Sequence, residues 1–110
     1  MTSAGSQPLL VHCVYFALED RSEKARETLT AACKKLLTDH PGTMFFAVGP
    51  VAEEIQWSVS DRDFDVALCI VFANKAAHDQ YQESPAHLRF IEENASNWKQ
   101  IRSFDSYAEG

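Results

Sequence analysis

Each of two segments of the sequence predicts a β-strand with apolar side chains on both of its faces. Residues 9–18 and 64–73 show this pattern; in the first segment one face carries Leu10, His12, Val14 and Phe16, and the other carries Val11, Cys13 and Tyr15. Strands of this kind lie centrally in a sheet and are covered on both sides. The sequence therefore predicts two central strands in a sheet that needs a cover on each face.

The stretch between these two strands predicts a helix, a third strand and a long loop. Asp20 opens a segment with capping-box spacing, so we expect it to be the N-cap of a helix that ends at residues 40–42, His-Pro-Gly. Residues 44–48 predict a strand. Residues 51–63 have no clean period and predict a loop that holds a short edge strand near Trp57.

The last third of the chain predicts two helices separated by a break, and then a strand. Asn74 is placed to cap a helix over residues 75–83. Ser84 and Pro85 predict the break, because proline disfavours the α conformation of the preceding residue and suits the first position of a new helix. The final strand is expected over residues 99–107. The apolar stripe expected on the second helix consists of Leu88, Ile91, Ala95 and Trp98.

Tyr81 and His87 flank this break and are the strongest candidates for a functional pair. On one unbroken helix, two residues six positions apart point to different faces. A break between them allows the phenol and the imidazole to face one volume, in which a proton passes between them or a polar ligand binds.

The predicted order of elements is β, α, β, β, broken α, β, which places the chain in the α+β class. Two helical layers of this length cover one face of a four-stranded sheet and leave the other face bare. A second copy of the chain is the simplest cover, since two-fold dimers are the commonest oligomers. We therefore expect a homodimer that associates through its sheet faces.

Composition narrows the classes of partner. The 110 residues suit one domain over residues 9–110, after a disordered tail over residues 1–8. A formal net charge of -6, with no cluster of basic residues, argues against nucleic acid and anionic membrane as partners. No signal segment is apparent, and the three cysteines suit reduced thiols, so we expect a cytoplasmic protein.

Several short patterns together resemble the stress-responsive dimeric α/β barrel (Dabb) family. The resemblance spans roughly residues 9–107 and is carried by His12, Pro41-Gly42, Gly49, Phe64-Asp65, Tyr81, Ser84-Pro85-Ala86-His87 and Phe104-Asp105-Ser106-Tyr107. It implies a ferredoxin-like βαββαβ protomer with an antiparallel four-stranded sheet and a second helix broken at Pro85. It also implies that two protomers pack sheet to sheet as a dimeric α+β barrel.

The resemblance also implies a pocket between the sheet and the helices. Some family members are similar to cofactor-free polyketide cyclases. By that resemblance, His87 of this chain would be the general base and Tyr81 the hydrogen-bond donor or acid. The ligand-binding residues implied for this chain are His12, Val14, Val66 and Leu88. Two further polar pocket residues of those cyclases align with Val66 and with the region of Cys33, so the polar lining is thinner here.

Three functions stay open at the level of sequence. The first is binding of a small organic ligand beside Tyr81 and His87, or stabilisation of other proteins under stress; the second is a cofactor-independent cyclase or isomerase. The third is a purely structural role, in which the two side chains satisfy each other or nearby backbone. His78, Tyr81 and His87 match no compact zinc signature, so no metal and no cofactor is expected.

Overall fold

The computed structural model describes residues 7–109, which form one four-stranded antiparallel sheet with its helices on one face. The strand order is β2-β3-β1-β4. The elements are β1 (Leu9–Leu18), α1 (Glu23–Leu36), β2 (Thr43–Pro50), β3 (Val66–Phe72), α2 (Lys75–Glu83), α3 (Pro85–Asn94), a short 3-10 turn (Ala95–Asn97) and β4 (Trp98–Ala108). This is the predicted ferredoxin-like βαββαβ protomer. Of the predicted tail over residues 1–8, only Gln7 and Pro8 lie within the described residues.

The two faces of the sheet differ sharply in burial. The side chains of β1 and β3 that face the helices are buried: Leu10, His12, Val14, Phe16, Leu18, Val66, Leu68, Ile70 and Phe72. Alternate residues point away from the helices and are only half-buried: Val11, Cys13, Tyr15, Ala67, Cys69 and Val71. We call this second surface the open face. Phe45 and Phe104 extend it onto β2 and β4 and are 54% and 55% exposed.

Helix α1 begins two residues later than the predicted cap implies. Its N-cap is Ser22, whose hydroxyl accepts a hydrogen bond from the N–H of Ala25 at 3.1 Å. Asp20 lies before the helix and instead accepts from the N–H of Ser22 at 3.0 Å. Both residues are good capping types, so sequence preference alone did not decide between them. The prediction of Asp20 as N-cap was wrong.

The apolar stripe predicted for the second helix was wrong at Leu88 and Ile91, although Trp98 does pack against the core. Leu88 and Ile91 are 56% and 37% exposed, whereas Phe90 is 2% exposed and is the buried residue of α3. The Phe90 ring contacts Phe16 and Trp98, at centroid separations of 6.1 and 5.7 Å. These aromatic contacts hold Phe90 against the core. The helix therefore buries a different side from the one that the spacing suggested.

The connection between β2 and β3 is a loop without the predicted strand near Trp57. Trp57 and Val59 are 75% and 90% exposed. The loop ends at Asp65, which is fully buried although it is ionisable. Its carboxylate accepts hydrogen bonds from the N–H of Leu18 at 2.8 Å and from the guanidinium of Arg26 at 2.8 Å. Asp65 thus links the loop, β1 and α1.

None of the helices within residues 7–109 has the length and apolar character needed to span a bilayer.

Gly42 occupies a turn that no other residue fits. Its φ is +86°, and a Cβ at this position would lie 2.4 Å from the Cβ of Ala77. We expect Gly42→Ala to lower the free energy of unfolding by about 1–3 kcal/mol, because it adds both backbone strain and a steric clash. Urea denaturation measures this loss. Gly49→Ala is the control, since nothing lies within 4 Å of its added Cβ; an equal loss in both variants would contradict the explanation.

Candidate functional site

The break between α2 and α3 is built by Ser84. Its N–H donates to the carbonyl of Tyr81 at 3.1 Å and thereby ends α2. Its hydroxyl accepts from the N–H of His87 at 3.2 Å and thereby begins α3, with Pro85 at the first helical position. The rings of Tyr81 and His87 consequently lie 4.8 Å apart in an edge-to-face contact. The break brings the two side chains together, as the sequence predicts.

Tyr81 and His87 line one cavity of about 170 Å³ between the sheet and the helices. Its inner wall is mostly apolar. Ile91 and Ile101 also line it and are 37% and 39% exposed, so the cavity reaches solvent between α3 and β4. The other lining residues are His12, Val14, Phe16, Leu37, Leu68, Gln82, Phe90, Trp98 and Ser103.

Of the four ligand-binding residues implied by the resemblance, His12 and Val14 line this cavity and Val66 and Leu88 do not. Val66 is fully buried at the start of β3, where it pairs with Pro50, and Leu68 lines the cavity instead. Leu88 is more than half exposed on α3. On β3 the cavity wall therefore begins at Leu68 and not at Val66, the residue that was expected to line it.

Two polar atoms of lining residues are buried without a hydrogen-bond partner among the described residues. They are Nδ1 of His87 and the indole Nε1 of Trp98. Most buried polar atoms in folded proteins are hydrogen-bonded, so each unpaired atom requires an explanation. A ligand with a hydroxyl or carbonyl oxygen would supply such partners.

The environment fixes the protonation states of the pair. Burial lowers the pKa of His87 below its ordinary value of 6.5, and the nearby His12 lowers it further. Burial also raises the pKa of Tyr81 above its ordinary value. Near pH 7, His87 is therefore a neutral imidazole and Tyr81 a protonated phenol. These are the states that a base and a hydrogen-bond donor need.

The lowered pKa of His87 predicts that acid destabilises the protein through this residue. His87 binds a proton less readily when folded than when unfolded, so its contribution to stability is present above pH 6.5 and is lost as the pH falls towards its folded pKa. His87→Ala should therefore lose less unfolding free energy than wild type between about pH 7.5 and pH 5.5. Denaturation curves at the two pH values test this. His12, His40 and His78 also lower the pKa of His87, and all three residues are present in both proteins.

Asp105 is a site residue that sequence reasoning missed. It lies directly opposite His12 in the β1–β4 pairing, and its Oδ1 is 2.5 Å from Nδ1 of His12. A carboxylate only accepts, so Nδ1 of His12 carries the shared proton. Alternation along the last strand could have placed Asp105 on the helix side, but only the register of two strands far apart in sequence identifies its partner.

The histidines also group differently from the set considered for a metal. His78 lies beside His12, with ring centroids 5.0 Å apart. One ligand atom each from His12, His78 and Asp105 lie within 4.8 Å of one another. Among the described residues, His87 is not part of this group.

Comparison with solved structures supports the fold. A Dabb family protein from Mesorhizobium loti with a ferredoxin-like fold aligns at a TM-score of 0.75 and 21% identity, covering 94% of this chain and 100% of that one. A dimeric ferredoxin-like protein of unknown function from Thermobifida fusca aligns at 0.74 and 17%, covering 92% of each chain. A hydroxynitrile lyase from Passiflora edulis aligns at 0.73 and 20%, covering 93% and 94%.

Comparison at the level of sequence gives the family. No match was found among curated proteins. The family model for the stress-responsive A/B barrel domain matches residues 10–108, which is nearly all of the chain. Since this match extends from β1 through β4 and the fold agrees with it, the chain belongs to the stress-responsive A/B barrel (Dabb) family.

Proposed function

We propose that this protein binds a small organic molecule in the cavity beside Tyr81 and His87. The observation that carries the proposal is Nδ1 of His87, a buried polar atom that has no partner among the described residues although its ring lines a cavity. A purely structural role for the pair is less well supported, because the two side chains do not satisfy this atom.

The lining indicates the chemical class of the ligand. Aromatic rings form much of the wall, including Phe16, Phe90 and Trp98. The unpaired atoms of Trp98 and His87 call for an oxygen on the ligand. A volume of about 170 Å³ is smaller than the roughly 300–1,000 Å³ of cavities that hold drug-sized molecules. We therefore infer a compact, mostly apolar, ring-containing molecule with one hydroxyl or carbonyl group.

A homodimer formed through the open face is part of the same proposal. The open face leaves Val11, Val71 and the Phe45 and Phe104 rings without a cover in the single chain. A structural neighbour of the same fold is described as dimeric. A second copy would bury this apolar surface. Large exposed apolar patches on soluble proteins usually mark such an interaction surface.

Benzyl alcohol and its near-isostere ethylbenzene test ligand binding, because only the alcohol carries an oxygen. Wild type is expected to bind both, with the alcohol bound more tightly. His87→Ala should weaken binding of benzyl alcohol by roughly tenfold, the value of one hydrogen bond, and leave ethylbenzene binding nearly unchanged. Saturation-transfer NMR with competition titrations measures both affinities.

Leu88→Ala is the matched control, because Leu88 lies on the same helix as His87 and does not line the cavity. It should bind both probes as wild type does. If wild type bound neither probe, or if His87→Ala bound benzyl alcohol as well as wild type did, the proposed site would be wrong.

The second candidate is a cofactor-independent cyclase or isomerase. Its support is the pairing of a neutral His87 with a protonated Tyr81, the states set by their environments. His87 would take a proton from a carbon next to a carbonyl, and Tyr81 would donate a hydrogen bond to the enolate oxygen that forms. The Passiflora edulis neighbour is an enzyme, a hydroxynitrile lyase, so this fold accommodates catalysis.

Deuterium exchange separates the enzyme from the binding protein. An active enzyme would speed the exchange of the methyl protons of acetophenone in D₂O, and His87→Ala would slow that exchange by roughly 100-fold. Tyr81→Phe would reduce the rate while keeping the packed ring. Exchange no faster than in buffer, together with normal binding of benzyl alcohol, would leave ligand binding as the function.

A further inference from the structure

Three metal-ligand side chains from three different elements meet on the helix side of the sheet. His12 comes from β1, His78 from α2 and Asp105 from β4, and one ligand atom of each lies within 4.8 Å of the others. We propose that this cluster binds a divalent transition-metal ion of the zinc class. The proposal does not depend on ligand binding in the cavity.

The set of donor atoms selects the type of ion. Two imidazole nitrogens and one carboxylate oxygen suit Zn²⁺, Co²⁺ or Ni²⁺, whereas Mg²⁺ and Ca²⁺ prefer oxygen ligands alone. Three protein ligands also leave one position open for water, as in catalytic zinc sites. A tetrahedral ion with bonds of about 2.0–2.2 Å separates its ligand atoms by roughly 3.3 Å. An ion bound between His12 and Asp105 takes the place of the proton that they share and widens their 2.5 Å contact to that spacing.

The surroundings of His78 are those of a metal ligand. Its Nδ1 lies 3.0 Å from Oδ1 of Asp79. Because a carboxylate only accepts, Nδ1 carries the proton and Nε2 keeps a lone pair. Metal-bound histidines commonly donate their second N–H to a carboxylate in this way. Nε2 has only the amide of Gln82 beside it, at 3.2 Å, and a metal ion readily replaces such a neutral partner.

The cluster combines rigidity with access. The side chain of His12 is 4% exposed and is held by the sheet. The side chain of His78 is 16% exposed, and that of Asp105 is 44% exposed. An ion can therefore enter from the Asp105 side, while the buried imidazole fixes the position of one bond.

Cobalt titration tests the proposal in the full-length protein without a histidine tag, after treatment with EDTA. Wild type should bind one Co²⁺ per chain with visible absorption bands typical of nitrogen and oxygen ligands, and Zn²⁺ should displace it. His78→Ala and Asp105→Asn should each weaken binding by at least about 100-fold, the upper end of what the loss of an outer-shell partner costs.

His40→Ala and Asp61→Asn are the matched controls, since each removes the same kind of side chain outside the cluster. Both should bind Co²⁺ as wild type does, and circular dichroism should show that all four variants are folded. If wild type bound no Co²⁺ or Zn²⁺, or if His78→Ala and Asp105→Asn bound as tightly as the controls, the site would be refuted.

Discussion

Asp65→Ala is expected to lower the free energy of unfolding by about 2–4 kcal/mol, less than breaking a fully buried ion pair costs because the Arg26 side chain is partly exposed. Asp65 is fully buried. It accepts from the N–H of Leu18 at 2.8 Å, and its Oδ1 lies 2.8 Å from Nη2 of Arg26 and 3.1 Å from Nε of Arg21. Alanine would leave the N–H of Leu18 and the Arg26 guanidinium without this acceptor.

The pKa of Asp65 also indicates that its hydrogen bonds stabilise the buried carboxylate. Burial alone would raise this pKa, but hydrogen bonds from Leu18, Arg21 and Arg26 outweigh burial and bring the pKa below its ordinary value of 3.8. The carboxylate therefore stabilises the fold above pH 3.8, and this contribution is lost as the pH falls through the lower folded pKa.

Urea denaturation of Asp65→Ala and of a surface control tests this prediction. Asp61 pairs with Arg102 at 2.9 Å but is largely exposed, so Asp61→Ala should cost less than about 1 kcal/mol. Asp65→Asn keeps an acceptor for the N–H of Leu18 and should fall between the two. Equal losses for Asp65→Ala and Asp61→Ala would show that the buried network is not a main source of stability.

Val71→Asp is expected to convert the proposed dimer into monomers. Val71 lies on β3, one of the two inner strands, and faces away from the helices. A carboxylate there would be buried without a partner in a sheet-to-sheet interface, at a cost of several kcal/mol. About 3 kcal/mol already weakens association roughly 100-fold.

Light scattering coupled to size-exclusion chromatography measures this change. Wild type should elute at twice the 12.4 kDa chain mass and Val71→Asp at the single mass. Leu88→Asp is the control, since it introduces the same charge at an exposed position of α3 on the helix side. A wild-type protein that is monomeric at micromolar concentration, or a Leu88→Asp variant that dissociates as fully, would contradict dimerisation through the open face.

The parts of the fold that depend on local signals were predictable from the sequence. The double-sided apolar pattern identified β1 and β3 as the inner strands. Turn chemistry located the break at Ser84 and Pro85, and Asn74 caps α2 as expected. In each case neighbouring residues decide the conformation, so the information lies within a few positions of the chain.

The parts that depend on contacts between distant segments were not predictable in the same way. His12 and Asp105 are 93 positions apart, and only the register of β1 against β4 pairs them. Burial of Asp65 runs against the usual exposure of acidic residues and requires Arg26 of α1 and Arg21, which lies just before that helix. The choice of Phe90 over Leu88 depends on the aromatic partners that the sheet and β4 supply.

The nitrogen NMR signals of the His87 ring test the proposed ligand site most directly. When benzyl alcohol is added to the wild-type protein, the Nδ1 signal of His87 is predicted to shift as this atom gains a hydrogen-bond partner, while the ring signals of His40, which does not line the cavity, stay in place. Ethylbenzene should leave the Nδ1 signal nearly unchanged. If benzyl alcohol bound the protein without shifting the His87 signals, the cavity beside Tyr81 and His87 would not be its binding site.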